Sequence, residues 1–200
     1  TYGFPVDLTE DIVRGKGVTL DMEGFEREMA VQRERAKASW KGDIEDRARD
    51  VYRAIASHIG GVNFLCYDHL SAKSRTVKIL KDGEVVEAAF SGDSVEVITE
   101  ETPFYGESGG QLGDSGVIKT DTLVVDVEET ARPLPNLIVH KGKIAKGEIR
   151  EGDIVHLVVD KENRGATALN HTATHLLHAA LREVLGNHVK QARSQVGSDR

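Results

Sequence analysis

His171 and His175 stand four residues apart in the segment ATALNHTATHLLHAALREVLG. On a helix, positions i and i+4 share a face with about 5–6 Å between Cβ atoms. That spacing suits two imidazole ligands of one metal ion. His178 falls on the same face. A zinc site needs a third and usually a fourth ligand, and the remaining residues supply no Cys-x3-His pair. Cys66 lies in a stretch that reads as a strand, where a thiol serves as a small buried hydrophobe. Thr172 follows His171 where a zincin motif requires Glu, which disfavours a metalloprotease. The bland alternative is that these are ordinary surface or satisfied core histidines.

A second candidate is the loop ESGGQLGD. Gly109, Gly110 and Gly113 allow close backbone approach to a phosphate, sugar or carbonyl. Glu107, Ser108 and Gln111 add polar side chains, so Glu107 to Gln111 read as candidate substrate-binding residues. No Gly-Lys-Ser/Thr follows, so this is not a P-loop. A plain surface loop fits the pattern equally well. Lys141, Lys143, Lys146, Arg150, Lys161, Arg164, Lys190 and Arg193 are scattered over the second half of the chain, and a few of them could meet phosphate. There is no RNP-type or zinc-finger signature.

The elements that must position these groups are legible from periodicity. DMEGFEREMAVQRERAKAS, from Asp21 to Ser39, reads as a helix with a weak stripe of Phe25, Met29, Gln32 and Ala36. Asp43 could cap a second helix running through Ile44, Val51 and Ile55, ended by Gly60-Gly61. From Val62 to Asp160, VNFLCY, RTVKIL, EVVEAAF, SVEVITE, GVIKT, TLVVDVEE, LIVHKGKI and DIVHLVVD suit strands, and Lys81-Asp82-Gly83 reads as a tight hairpin turn. Many short strands at this spacing point to a small barrel or sandwich. The insert Thr102 to Gly116 is glycine-rich and long for a hairpin, which marks a functional loop. The histidine segment is a helix with Gly186 as its stop, and HVKQARSQV reads as the start of a strand.

Composition limits the classes. With 39% hydrophobic residues the 200-residue chain can build one or two domains with a core. A formal net charge of −7 argues against a dedicated basic nucleic-acid coat but leaves local basic contacts open. One cysteine permits no internal disulfide, and a reducing cytoplasm is the simple reading. No apolar run reaches membrane length, and TYGFPVDLTEDIV has no signal-peptide pattern. A start at Thr1 rather than Met reads as a processed or excised segment.

Three segments carry a family resemblance: TYGFPVDLTEDIV, TPFYGESGGQLGDSG and NHTATHLLHAALREVLGNHVKQ. In that order and spacing they resemble bacterial alanyl-tRNA synthetases over essentially the whole chain. Free-standing alanyl-tRNA deacylases share the barrel and the histidine helix but lack the first segment. The resemblance implies an α+β chain in three parts. Residues 1–57 would end a helical tRNA-recognition domain. Residues 58–160 would form a small translation-factor-like β-barrel. Residues 161–200 would begin the α/β editing core shared with threonyl-tRNA synthetase.

It also implies zinc on His171 and His175, with a Cys and a His expected beyond Arg200, and places Thr174 and Gln191 in the editing pocket. The implied partners are tRNA(Ala) and its mischarged Ser and Gly forms, in the cytoplasm and away from membranes. ATP and Mg belong to an upstream domain. The implied chemistry has a physical reason. A pocket shaped for the alanine methyl cannot exclude glycine and rejects serine by only about 10², so a second site must hydrolyse the wrong ester. Where the family has Q-x-G-S-L-V, this chain has Gln191-Ala192-Arg193-Ser194-Gln195-Val196, which replaces a glycine by Arg193 and an apolar residue by Gln195. A non-catalytic, tRNA-positioning scaffold is the alternative from a different class.

Overall fold

Alternating apolar residues in strands linked by short turns can hide one face completely if the sheet closes on itself. The computed structural model shows that solution. It describes residues 21–39, 42–67, 69–191 and 194–199. The order is α1 (Met22–Ser39), α2 (Gly42–Ile59), β1 (Asn63–Phe64), β2 (Ser71–Lys81), β3 (Glu84–Val86), β4 (Ala88–Phe90), β5 (Ser94–Thr99), β6 (Glu101–Thr102), β7 (Gly116–Lys119), β8 (Val124–Leu134), β9 (Leu137–Lys146), β10 (Glu148–Arg150), β11 (Ile154–Val159) and α3 (Lys161–Leu185). The segment TYGFPVDLTEDIV, Arg193, and the side chains of Gln32, Ala36, Asp43 and Ile44 lie outside the described residues. The chain divides into two packing units after Asp46, within α2. In the first, α1 leaves Phe25 exposed and Met29 half-buried.

In the second unit, strands pair in the order β11-β7-β8-β9-β5-β2, and β2 returns to β11. Every one of these pairings is antiparallel, giving a closed six-stranded barrel. Closure leaves no free edge for another strand to pair with. The expected hairpin between β2 and β3 forms with φ of 53° at Asp82 and 81° at Gly83, the two left-handed positions that a tight turn of this hand requires. Inside the barrel, Ile79, Val95, Val97, Phe104, Ile118, Val125, Val127, Ile144, Val155 and Leu157 form one core. Outside it, Ile55 and Ala56 of α2 pack with Leu80, Ile98, Leu137 and Val139. Tyr52 donates to Glu96 Oε2 at 2.7 Å at the border of that second core.

Two strand expectations need correction. VNFLCY forms only the two-residue β1 and then turns at Cys66 and Tyr67. The reason is tertiary: the Cys66 carbonyl accepts from Arg164 of the last helix rather than from a neighbouring strand. HVKQARSQV forms no strand among its described residues. Only Val196 bridges, parallel to Gln111.

The last helix is set onto the barrel at its N-terminus. Asp160 caps it by accepting from the Glu162 and Asn163 amides at 2.9 and 3.0 Å. Arg164, one turn in, donates through Nε to Asp114 Oδ1 at 2.8 Å and through Nη2 to Oδ2. It also reaches the carbonyls of Cys66 and Pro103 at 3.1 and 2.8 Å. Farther along, Leu169, Leu176, Leu177 and Val184 are exposed.

His140 in β9 is the one fully enclosed imidazole among the described residues. Its Nδ1 donates to the Val97 carbonyl at 2.8 Å, and its Nε2 pairs with Thr102 Oγ1 at 2.7 Å. Burial pushes this group down to about 4, so it is neutral in the fold.

Two outcomes follow. The unfolded chain takes up a proton on His140 below about pH 6.5 while the folded chain does not, so stability falls as pH drops toward 4. This group contributes about 2 kcal/mol of loss between pH 7 and 5, read as the pH dependence of urea unfolding, and His140→Gln removes that component. Arg164→Met leaves Asp114 as a buried unpaired carboxylate and should cost about 3–5 kcal/mol. The Arg164→Met/Asp114→Asn double variant should recover much of it, and additive losses in the double-mutant cycle would refute a coupled pair.

Candidate functional site

The glycine-rich loop and the histidine helix meet through one hydrogen bond. His171 Nδ1 lies 2.8 Å from Gln111 Oε1. A carboxamide oxygen only accepts, so Nδ1 carries the hydrogen and the His171 lone pair is left on Nε2. That Nε2 lies 3.0 Å from Nε2 of His175. The rings are tilted by 33° with centroids 5.0 Å apart. Both nitrogens therefore converge on one point beside the helix. Two nitrogens at zinc-bond length in a tetrahedral shell stand about 3.3 Å apart, so the pair fits as half of such a site. The Gln111 contact supplies the outer hydrogen bond that fixes a metal-binding imidazole in its tautomer.

No third His, Cys, Asp or Glu joins the pair among the described residues. His178 is seven residues from His171, about 10 Å along the helix, with its Nε2 buried and unpartnered. Cys66 is buried in the turn after β1, and burial pushes its thiol up, away from the thiolate that a metal prefers.

The loop owes its shape to chain packing. Ser108 and Gln111 exchange backbone hydrogen bonds at 3.2 and 3.0 Å, closing a tight turn over Gly109 and Gly110. A Cβ on Gly110 would stand 2.3 Å from the Ser194 carbonyl oxygen, and one on Gly113 would stand 1.9 Å from that of Thr130. Those two glycines are thus required by backbone approach, whatever the loop binds. The segment after the helix runs beside the loop: Leu112 donates to the Val196 carbonyl at 2.9 Å, and Val196 to that of Gly110 at 2.8 Å. Asn170, one residue before His171, donates to the Gly197 carbonyl at 2.8 Å. Loop, helix and C-terminal segment therefore hold one another in register around Gln111.

The other expected site residues are placed as follows. Thr174, half-buried one turn beyond His171, donates its hydroxyl to the Asn170 carbonyl at 2.9 Å and keeps acceptor capacity. Gln191 is exposed and donates to Ser194 Oγ at 2.8 Å. Glu107 is exposed, its amide held by the Thr130 carbonyl at 2.8 Å. The Ser108 carbonyl accepts from the Tyr105 hydroxyl at 3.2 Å. The structure joins Gln111, His171 and His175 directly. Among the described residues, neither Glu107 nor Gln191 makes a side-chain hydrogen bond to that group. Asn170 and Asp114 were missed by the sequence reading. Neither stands in a spacing pattern, and each matters through a partner distant in the chain.

The family described as tRNA synthetases class II (A) matches residues 1–163. The chain is 47% identical over 201 residues to the alanine–tRNA ligase of Rhizorhabdus wittichii, covering 100% of this chain and 23% of that protein. It is likewise 47% identical to the alanine–tRNA ligase of Magnetococcus marinus, with the same coverage, and to that of Anaeromyxobacter dehalogenans, of which it covers 22%. The chain thus spans less than a quarter of the length of these relatives. None of the helices among the described residues is long and apolar enough to cross a membrane.

Gln111→Leu removes the acceptor while keeping the side chain's approximate size. The expected result is a His171 ring no longer confined to the Nδ1–H tautomer, read from imidazole nitrogen shifts. Zinc affinity should fall about 10- to 100-fold, measured against a chromophoric chelator. An unchanged tautomer would show that Gln111 does not orient the ring.

Proposed function

The chain belongs to the family of class II tRNA synthetases described by the letter A, and on that premise we propose that it is the editing region of an alanine–tRNA ligase. In this reading the editing region of the ligase hydrolyses the ester of mischarged Ser-tRNA(Ala) and Gly-tRNA(Ala), and this chain, which holds only part of that region, is inactive or impaired by itself. Attachment of alanine to tRNA(Ala), with ATP and Mg, belongs to other parts of the ligase, and the whole works in the cytoplasm. Residues 1–57 close the tRNA-recognition domain, 58–160 form the barrel, and 161–200 open the editing core. The observation that carries this reading is the convergence of His171 and His175 at 3.0 Å, oriented by Gln111 from the glycine-rich loop.

His171 and His175 would hold zinc, completed by further ligands of the ligase. Bound there, zinc supplies Lewis acidity toward an ester carbonyl or a water. The chain's own groups do the positioning. Gln111 keeps the His171 lone pair outward. Thr174 lies on the same helix face within one turn, where its oxygen can accept from the serine hydroxyl. Gln191 offers a carboxamide on the segment that flanks the loop. Glu107 to Gln111 bring backbone and side-chain polar groups to the same rim for the 3′ end of the RNA. A site built to hydrogen-bond a hydroxyl penalises its absence strongly, which is how serine is taken and alanine spared.

A scaffold reading is favoured by one observation: among the described residues the two histidines have no third ligand. In it, barrel and helix position tRNA without cutting the ester.

The discriminating experiment is hydrolysis of Ser-tRNA(Ala) by this chain with zinc present, with Ala-tRNA(Ala) as control. Selective serine release supports editing, and Thr174→Val or Gln191→Ala should then slow it by about 10-fold or more. Unchanged serine release in both variants would sink their assignment as serine readers. If this chain releases no serine and the full ligase does so with His171 and His175 both replaced by alanine, the histidine pair is not the editing site.

A further inference from the structure

Antiparallel pairing places three basic side chains in one row on the outer face of the barrel. His156 of β11 is in register with Lys73 of β2 on one side and with Lys119 of β7 on the other. Directly opposed residues on a sheet face have Cβ atoms about 4.5–5.5 Å apart, so the three side chains are neighbours. All three point outward: the alternate positions Ser74, Val155, Leu157 and Ile118 are buried. They line a surface cavity of about 360 Å³ together with Thr120, Asp121 and Ile154.

Three other barrel lysines are matched by carboxylates. Lys78 meets Glu151 at 2.6 Å, Lys81 meets Asp93 at 2.8 Å and Lys141 meets Glu129 at 3.1 Å. Among the described residues, Lys73, Lys119 and His156 make no ion pair or side-chain hydrogen bond, and Asp121 at the cavity's edge pairs with neither lysine. The chain carries 33 acidic against 26 basic residues. With that excess available, a basic row that forms no ion pair with a described carboxylate offers its donors to an external anion.

We propose that Lys73, His156 and Lys119 form a phosphate-binding row that grips the backbone of an RNA. The two ammonium groups neutralise phosphodiester charge. The His156 ring and the Thr120 hydroxyl can donate to phosphate oxygens. Ile154, 55% exposed at the rim, offers an apolar surface to a sugar. Such contacts orient the RNA without reading its sequence. The row lies on the barrel wall and includes none of the residues placed at the histidine pair, so it is an anchoring surface. It rests on the tRNA partner of the proposed function but not on ester hydrolysis.

The test is the salt dependence of binding of an uncharged tRNA(Ala) transcript, by fluorescence anisotropy, for the chain and for Lys73→Gln/Lys119→Gln. Each lysine–phosphate contact contributes about 0.9 to the slope of log affinity against log salt. The double variant should therefore flatten the slope by about two and weaken binding at low salt about 10-fold or more. An unrelated tRNA should lose affinity to the same extent. Thermal unfolding of the double variant should be essentially unchanged, as for surface substitutions that break no contact. A slope and affinity equal to those of the original chain, or no tRNA binding by the original chain at low salt, overturns the proposal. If inorganic phosphate saturates the His156 ring shifts as tightly as the RNA binds, the cavity is a free-phosphate site and the RNA assignment falls. Loss of Ser-tRNA(Ala) hydrolysis with an intact salt-slope difference would count against editing alone.

Discussion

Arg164 brings a guanidinium to the junction between the barrel and the last helix, where it is 17% exposed, and meets there an Asp114 that is 5% exposed. Asp114 in turn accepts from the Tyr105 amide at 2.5 Å, while Thr130 donates its hydroxyl to the Asp114 carbonyl at 2.7 Å. Through its other nitrogens Arg164 ties down the carbonyls of Cys66 and Pro103. One residue on the first turn of the helix thus clamps the turn after β1, the start of the glycine-rich loop and its end. A buried pair of this kind is stable only when its remaining hydrogen-bonding positions are filled, and here the Tyr105 amide and the carbonyls of Cys66 and Pro103 fill three of them.

Everything at the candidate site depends on that clamp. The direction of α3 is set by the Asp160 cap and Arg164 within its first turn, and His171 follows two turns later. The position of Gln111 is set by Asp114 three residues on and by the Val196 bridge. Only if helix and loop are both fixed does Gln111 fall within 2.8 Å of His171 Nδ1. The tautomer of a single imidazole is therefore a consequence of an ion pair seven residues away in sequence. The exposed leucines of α3 beyond that point carry no comparable constraint from the described chain.

The barrel works in another manner. It is closed, antiparallel and filled by β-branched side chains, so it is a rigid support whose outer face is free to vary. That freedom is visible in how its charges are arranged: Lys78, Lys81 and Lys141 are matched by carboxylates, while the Lys73–His156–Lys119 row is left open. The sheet tolerates this because its stability comes from the interior.

The sequence by itself determined the local elements, because they depend on short-range physics. Period-3.6 apolar spacing marked the three helices, period-2 runs marked most strands, and Asp82-Gly83 marked the one hairpin turn whose backbone angles demand those residues. The pair His171 and His175 was legible for the same reason, since i,i+4 spacing fixes a shared face. Resemblance supplied the family, and with it roles that spacing alone does not reach. Tertiary structure decided what depends on partners distant in the chain. VNFLCY ended as two strand residues because Arg164, about a hundred positions later, takes the Cys66 carbonyl. HVKQARSQV became a partner of the loop through Val196 because Gly110 leaves room for the Ser194 carbonyl. Gln111 was visible as a polar residue in a loop, but its contact with His171 spans sixty positions and has no periodic signature. Lys73, His156 and Lys119 are unremarkable in sequence; only strand register sets them side by side.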